Sequence, residues 1–465
     1  FDIWWHLSTG RFLIENWQIP TTDIFSYTAH GAPWMINSWG FDVFSYLVYK
    51  FLGLDALNLI KAIAALLIFL LIIFYLRGKK LLNLFSLSFV VLAFFSIRDG
   101  LSLRPHTFAY LIFVAFLILI LKYKDSPNCK TIFFLAGLQF VWVNLHASFI
   151  WGVVLSGIIF LVKLLEEKKV SKMHLLLMAA VGSASLLNLF YGPGFLFSIV
   201  KDYFTPSAQT PVRESLPPAL GNFLSLTGII LLSWFLVVFF SLKNREYHIS
   251  LIALFAALIF LRSVRFEKDL ILFLCVTAPL YFEELKTKTQ KIAKNIPPIF
   301  YKISFALLLL SIFIAAKNSS LGIGQGLSKF TYPVEAVNFI KRENLLEISG
   351  GRLYNTYNFG GYLTWEIYPE KIFIDGRVSP YLGGAFDNYW NNFEGGNVWE
   401  NTVKKYKITV ALMTFPHTDG KTAYNNSAKM FPKKDWALIY YDDVAMIYVK
   451  RMEKFQNQID KYEYK

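Results

Sequence analysis

The sequence predicts an α-helical polytopic membrane protein of about ten spanning helices, with a soluble α/β domain at its C-terminal end. Three observations predict it. Of the 465 residues 55% are hydrophobic and only 17% charged, where a soluble chain carries about 25% charged residues. Apolar stretches follow one another, each near the roughly 20 residues a bilayer span needs. The basic residues, finally, concentrate in every second loop.

The predicted spans lie near 55–76, 81–97, 105–121, 131–145, 148–165, 173–190, 222–242, 248–263, 269–284 and 298–316. One set of loops carries Arg77, Lys79 and Lys80; Lys122, Lys124 and Lys130; Lys163, Lys168, Lys169 and Lys172; Lys243 and Arg245; Lys286, Lys288, Lys291 and Lys294. The alternate loops carry only Arg98, Arg104, Lys201, Arg213, Arg262, Arg265 and Lys268. Cytoplasmic loops are the ones enriched in Lys and Arg. The first set is therefore assigned to the cytoplasm, and residues 1–54 and everything after 316 to the outer side. The net charge of +14 then belongs to membrane topology rather than to nucleic-acid binding. Phe1 is not an initiator Met, which predicts a missing upstream segment and room for a further helix there.

Five segments organise the chain. Residues 1–54 form an outer first loop, interrupted by Asp2, Arg11, Glu15, Asp23 and Asp42 and dense in tryptophan. Two amphipathic helices at the membrane interface, about 3–16 and 38–52, are expected there. The helical domain occupies 55–316, a Gly- and Ser-rich linker 317–330, an outer α/β domain 331–452 and a charged tail 453–465. Strand character falls at 352–357, 371–374, 408–414, 436–441 and 444–450, with helices near 333–345, 385–406 and 421–431. A mostly parallel sheet with an antiparallel edge is expected. The two cysteines, Cys129 and Cys275, build neither a disulfide framework nor a metal site.

Polar residues on the outer side carry the chemistry. Asp2 and His6 lie four apart, on one helical face, as a carboxylate and imidazole suited to general-base work; an ordinary surface pair is the alternative. Asp23, in Pro20-Thr-Thr-Asp23, reads as a site residue or a turn former. Arg104-Pro105-His106 stands at the mouth of a span and offers an arginine fork for phosphate, or a snorkelling cation. Asn144 and His146 interrupt an apolar run, as residues lining a cavity or bonding helix to helix. Arg262, Arg265, Glu267, Lys268 and Asp269 form a charged break between two further spans. No nucleotide-binding or metalloprotease motif is present, and Asp375-Gly376-Arg377 reads as a strand-end turn whose glycine supplies a positive φ.

Several motifs together resemble a bacterial membrane-protein family. They are Asp2-Ile-Trp-Trp-His6-Leu-Ser-Thr-Gly10-Arg11, Ile19-Pro20-Thr-Thr-Asp23-Ile-Phe-Ser26-Tyr27-Thr28, Gly31-Ala-Pro33-Trp34, Arg104-Pro105-His106, Asn144-Leu-His146-Ala-Ser148-Phe149, Gly360-Gly361-Tyr362-Leu363 and Ile374-Asp375-Gly376-Arg377. That family is similar to the GT-C glycosyltransferases, among them protein O-mannosyltransferases and the lipid A aminoarabinose transferase. The resemblance implies a transferase that takes a sugar from a polyprenyl-phosphate carrier at the outer face of the bacterial inner membrane. Asp2, with His6 and Asp23, would then be catalytic. Arg104, His106, His146, Arg262 and Arg265 would hold the donor phosphate. No cofactor or metal ligand set is implied beyond the lipid-linked sugar. Asp2, ionised by an ordinary carboxylate pKa of about 3.9, would take the acceptor's proton, and Asp2, His6, Arg104, His146 and at least one of Arg262 and Arg265 would line one outer cavity. Its partners would be the polyprenyl-phosphate sugar, a lipid, glycan or protein acceptor, and membrane lipids. The competing reading is a non-enzymatic membrane subunit whose outer domain binds proteins. A transporter ranks third, since no repeat is evident and the spans lack acidic residues.

Overall fold

The computed structural model describes residues 2–204, 216–223, 226–282, 284, 331–415 and 429–464. The chain is mostly helical, with one small sheet near its C-terminal end. Its contacts divide it into two compact units, Phe1–Asp55 with Gly324–Lys465, and Ala56–Ile323. Residues 1–54, read from sequence as a segment of their own, thus fold with the C-terminal residues.

The first helices are α1 (Ile3–Asn16), α2 (Trp39–Gly78), α3 (Leu84–Ile97), α4 (Pro105–Tyr123), α5 (Cys129–Leu145) and α6 (Ile150–Glu167). After them come α7 (Lys172–Ser185), α8 (Pro193–Phe204), the single turn α9 (Leu220–Phe223), α10 (Leu226–Lys243), α11 (Tyr247–Arg262) and α12 (Glu267–Thr277). Each of the first nine expected spans contains a helix. Among the described residues α2, α4 and Ala147–Glu167 are long and apolar enough to cross a membrane, and α5, Thr227–Lys243 and α11 are shorter apolar helices. At 14 residues, α3 and α7 rise only about 21 Å, short of a hydrocarbon core near 30 Å. The segment 298–316 and the linker lie outside the described residues.

Large apolar side chains turn outward along these helices: Leu66 is 58% exposed, Phe133 76%, Phe235 66% and Leu258 66%. Water does not tolerate contiguous apolar surface of this kind, and a bilayer covers it. The protein is membrane-embedded. Within the helical unit, α12 is buried on every side, with Leu270 through Val276 at most 2% exposed. A helix that is apolar all round belongs at the centre of a bundle.

The other unit contains α1, the start of α2, α13 (Val334–Arg342), α14 (Leu345–Ser349), β1 (Leu353–Asn355) and α15 (Tyr357–Glu366). It continues through α16 (Ala385–Asn391), α17 (Gly396–Tyr406), β2 (Val410–Thr414), β3 (Trp436–Tyr441), β4 (Ala445–Lys450) and α18 (Gln456–Tyr462). The sheet order is β1-β2-β4-β3. Only β1 and β2 pair in parallel, while β2–β4 and β3–β4 are antiparallel. The mostly parallel sheet expected from sequence is therefore corrected. The Asp442-Asp443 turn joins β3 to β4 as a hairpin, and β1 to β2 has the helical crossover a parallel pair needs; the helix expected near 421–431 falls mostly outside the described residues.

Residues 371–374 form no strand of that sheet. Their main chain is taken by other partners. Asn355 receives the Phe373 N–H on its Oδ1 at 2.9 Å and donates its Nδ2 to the Ile374 carbonyl at 2.8 Å. The first loop takes the other edge, through Ile372 N to the Phe25 carbonyl and Tyr27 N to the Ile372 carbonyl, both 3.0 Å. The charged tail is also folded, since Phe455 is fully buried and Tyr464 donates to the β3 carbonyl of Leu438 at 2.9 Å.

The expected interfacial helix 3–16 is a buried one. Ile3, Trp4, His6, Leu7, Ser8, Thr9, Gly10 and Leu13 of α1 are all buried, and Trp4 packs edge-on against Tyr49, Tyr332 and Tyr362. Of the tryptophans counted from sequence as membrane anchors, Trp4 and Trp34 are buried in a protein core, Trp34 joining Phe25 and Ile36, while Trp17 is exposed. Gly10 sets the spacing of α1 from α2: a β-carbon there would stand 2.1 Å from the Asp42 carbonyl oxygen. No larger residue fits that crossing.

Candidate active site

In the unit containing α1, His6 has a buried partner that helical spacing did not point to. Asp2 occupies the N-cap position of α1, and its carbonyl accepts the His6 backbone N–H at 3.3 Å. The His6 imidazole meets Asp42 across the α1–α2 crossing, Nδ1 to Oδ1 at 2.6 Å, both side chains buried. Ser38 Oγ donates to the same Asp42 oxygen at 3.2 Å. Burial pushes the Asp42 carboxyl well above its usual range, so the two groups share a proton across this contact, and Nε2 is the ring nitrogen that Asp42 does not hold. Phe41 packs edge-on to the ring at 5.0 Å. Sequence reasoning noted Asp42 only as an interruption. The available signal was a carboxylate on an otherwise apolar helical face, which wants a buried partner.

The Asp2 carboxylate lies against the turn after residue 374. A β-carbon on Gly376 would sit 3.1 Å from Asp2 Oδ1 and 3.7 Å from Trp5 Nε1. The Trp5 Nε1 is enclosed with no hydrogen-bond partner, and Tyr357 donates its hydroxyl to the Gly376 carbonyl at 3.4 Å. Gly376 is not among the glycines with positive φ; Val378 is the residue with φ 55°. Glycine is thus needed at 376 for the approach of Asp2 rather than for a left-handed turn.

Asp23 and the Asp375-Gly376-Arg377 turn come together as a buried ion cluster. Arg377 reaches Asp23 Oδ1 with NH1 at 2.7 Å and Asp375 Oδ2 with NH2 at 2.8 Å, all three side chains at most 1% exposed. The guanidinium stands 4.5 Å from the Trp34 ring centre and 5.0 Å from that of Phe25, and donates to Tyr381 Oη at 3.2 Å. Burial works against the Arg377 charge, but Asp375, Tyr381 and Asp23 outweigh it and hold the group well above its usual range. Asp23 also accepts the N–H groups of Phe25 and Ser26. The catalytic reading of Asp23 therefore gives way to a structural one, because its oxygens are enclosed and already bonded. It fastens the first loop to the turn that faces Asp2.

The basic residues expected to bind phosphate all fall in the helical unit, at three breaks of one design. A helix ends, a 3-10 turn intervenes and a new helix starts: Arg98–Gly100 before α4, Ala147–Phe149 between α5 and α6, and Val264–Phe266 between α11 and α12. Arg104 is the extended N-cap residue of α4 with Pro105 at N1, the arrangement that proline imposes on its predecessor. His106 and His146 bring their rings to 4.3 Å between centroids. His146 Nδ1 accepts the Ser148 N–H at 3.1 Å, which puts any ring proton on Nε2. Burial, and then the Arg265 charge, hold His146 down to about 3, so it is neutral at physiological pH. Lys268 lays its stem within 3.2 Å of the β-carbon position of Gly100, joining the first break to the third. Arg262 closes the last turn of α11. Asn144 proves to bond helix to loop, through Leu187 and Leu189. His417 lies outside the described residues, and among these no three His, Cys, Asp or Glu side chains are grouped to hold a metal ion.

No protein-family model and no curated protein matches the chain. Among solved structures, the chain is similar to the crystal structure of ArnT from Cupriavidus metallidurans bound to undecaprenyl phosphate, with a TM-score of 0.47 and 11% identity over 98% of this chain and 94% of that one. A likeness at that score assigns no activity to the chain.

Proposed function

We propose that the chain is a glycosyltransferase of the bacterial inner membrane, moving a sugar from a polyprenyl-phosphate carrier to an acceptor hydroxyl at the outer face. One observation carries this reading: side chains from separate helix breaks meet, His106 lying against His146 and the Arg265 charge acting on His146. A neutral His146 offers its Nε2 proton to an anion, and the arginine fork suits phosphate. In the reaction Asp2 takes the proton from the acceptor hydroxyl, and the acceptor oxygen forms a bond to the anomeric carbon. The bond from that carbon to the phosphate oxygen breaks, and the lipid phosphate leaves with the electron pair. Arg104 and Arg265 would stabilise the departing charge, and His6, oriented by Asp42, would relay the proton.

Binding of undecaprenyl phosphate to the full chain in nanodiscs tests the phosphate half. Arg104→Ala and Arg265→Ala are each expected to weaken it about 10- to 100-fold, the worth of one charge-assisted bond of about 1.5–3 kcal/mol. Unchanged affinity in both, or no binding by the parent chain, would leave a partner-binding subunit as the better account. Orientation is tested separately. Membrane-impermeant cysteine labelling is expected to reach a cysteine placed at 352 from outside and to miss one placed at 168; the reverse result overturns the assigned sidedness.

A further inference from the structure

Two adjoining cavities, of about 410 and 220 Å³, open among the helix ends that carry the lysine-rich loops. The larger falls within the roughly 300–1,000 Å³ of small-molecule sites. Both share Lys124, Glu246 and His248, and the larger adds Tyr75, Lys79 and Tyr281. None of these residues belongs to the transferase reading.

The lining has two chemical halves. Glu246, in the α10–α11 turn, accepts the Tyr281 hydroxyl at 2.6 Å on Oε2. His248 is 5% exposed, and its Nε2 is enclosed without a hydrogen-bond partner. A buried polar nitrogen left unpaired is costly, and such groups are rare in folded proteins. The other half is cationic. Lys163 is taken by Asp125 at 2.9 Å and Glu166 at 3.3 Å, Lys124 by the same Asp125 at 3.0 Å, and Lys243 by Glu284 at 3.3 Å. Lys79 has only the Tyr75 ring near it, at 6.0 Å, and no carboxylate partner among the described residues.

We infer that this cavity binds a phosphate that carries a primary amine, the phosphoethanolamine group of a membrane phospholipid. Lys79 would face the phosphate. Glu246 and His248 Nε2, with its ring proton on Nδ1, would accept N–H bonds from the ammonium, with the Tyr75 and Tyr281 rings as its walls. A quaternary ammonium has no N–H to offer these acceptors, so choline lipids should be rejected. The lysine-rich end meets the headgroup layer by the charge rule, and Phe74, next to Tyr75, is 60% exposed on a spanning helix, which favours a lipid as source.

The full chain in phosphatidylcholine nanodiscs, with and without one-fifth phosphatidylethanolamine, tests the site by native mass spectrometry of the retained lipid. One phosphatidylethanolamine per chain is expected, preferred over phosphatidylcholine at least tenfold. Glu246→Gln and Lys79→Gln should each cut that preference about tenfold, with thermal midpoints in pure phosphatidylcholine matching the parent chain. His248→Phe, which fills the space without an acceptor, should do the same. Free phosphoethanolamine added to phosphatidylcholine discs separates the sources: displacement of the bound lipid supports headgroup recognition, and saturable binding with no lipid retained supports the soluble form. Equal retention of the two lipids, or retention unchanged in all three variants, overturns the site.

Discussion

Replacing Arg377 with methionine is expected to destabilise the unit that contains α1 and the sheet by about 3–5 kcal/mol, the cost of leaving buried charges without their partner. Asp23 and Asp375 would both remain enclosed, each having lost a contact at 2.7–2.8 Å. Methionine keeps much of the volume between Trp34 and Phe25, so the loss reports the charge rather than a cavity. Arg377→Lys keeps a cation but cannot fork to two carboxylates, and should fall between the two. Limited proteolysis in detergent reads the effect, with cleavage expected first in residues 20–34, which the cluster holds against 371–377. Asp23→Asn should share the proteolytic phenotype, since the same contact is removed. Proteolysis and thermal midpoint unchanged in Arg377→Met would mean that the first loop is held by its main-chain pairing to Ile372 alone.

What was legible in the sequence depended on how far apart the determinants stand. Helix limits could be read, because they rest on long apolar runs and on local punctuation: α1 and the start of α2 lie where the amphipathic pattern put them, and the 3-10 turns Ala147–Phe149 and Val264–Phe266 lie at the polar breaks that begin at Asn144 and Arg262. α15 was missed because Gly360-Gly361 reads as a breaker; burial of Gly360 through Leu363 overrides that propensity. The direction of the sheet was misread because residues 371–374 have strand composition but spend their hydrogen bonds on Asn355 and the first loop. His6 finds Asp42 36 residues away, and Asp23 finds Arg377 across most of the chain. No periodicity encodes either meeting. A carboxylate in an apolar run announces that a partner exists, without naming it.

Asp2→Asn should lower sugar transfer from a polyprenyl-phosphate donor by about 10²–10⁴-fold, the usual range for loss of a positioned base, while leaving carrier binding intact. The substitution is nearly isosteric, so the packing against Gly376 survives and the amide loses only the ability to take a proton. Asp42→Asn acts one step back. It would leave His6 in place but unsettle its tautomer, since an amide can donate as well as accept. A smaller fall of about tenfold or more is expected, with the acid limb of the pH–rate profile displaced, a readout that a merely structural Asp42 would not move. Gly376→Ala provides the geometric control: its methyl would stand 3.1 Å from Asp2 Oδ1, so the carboxylate must shift by a few tenths of an ångström. Activity should drop severalfold even though no charge has changed, because catalytic groups act within narrow distances. If Asp2→Asn transfers sugar at the parent rate while Arg104→Ala still loses the carrier, the lipid-phosphate site stands and the base must be sought elsewhere on the chain. If neither variant changes anything, the transferase reading has no residue left to act through.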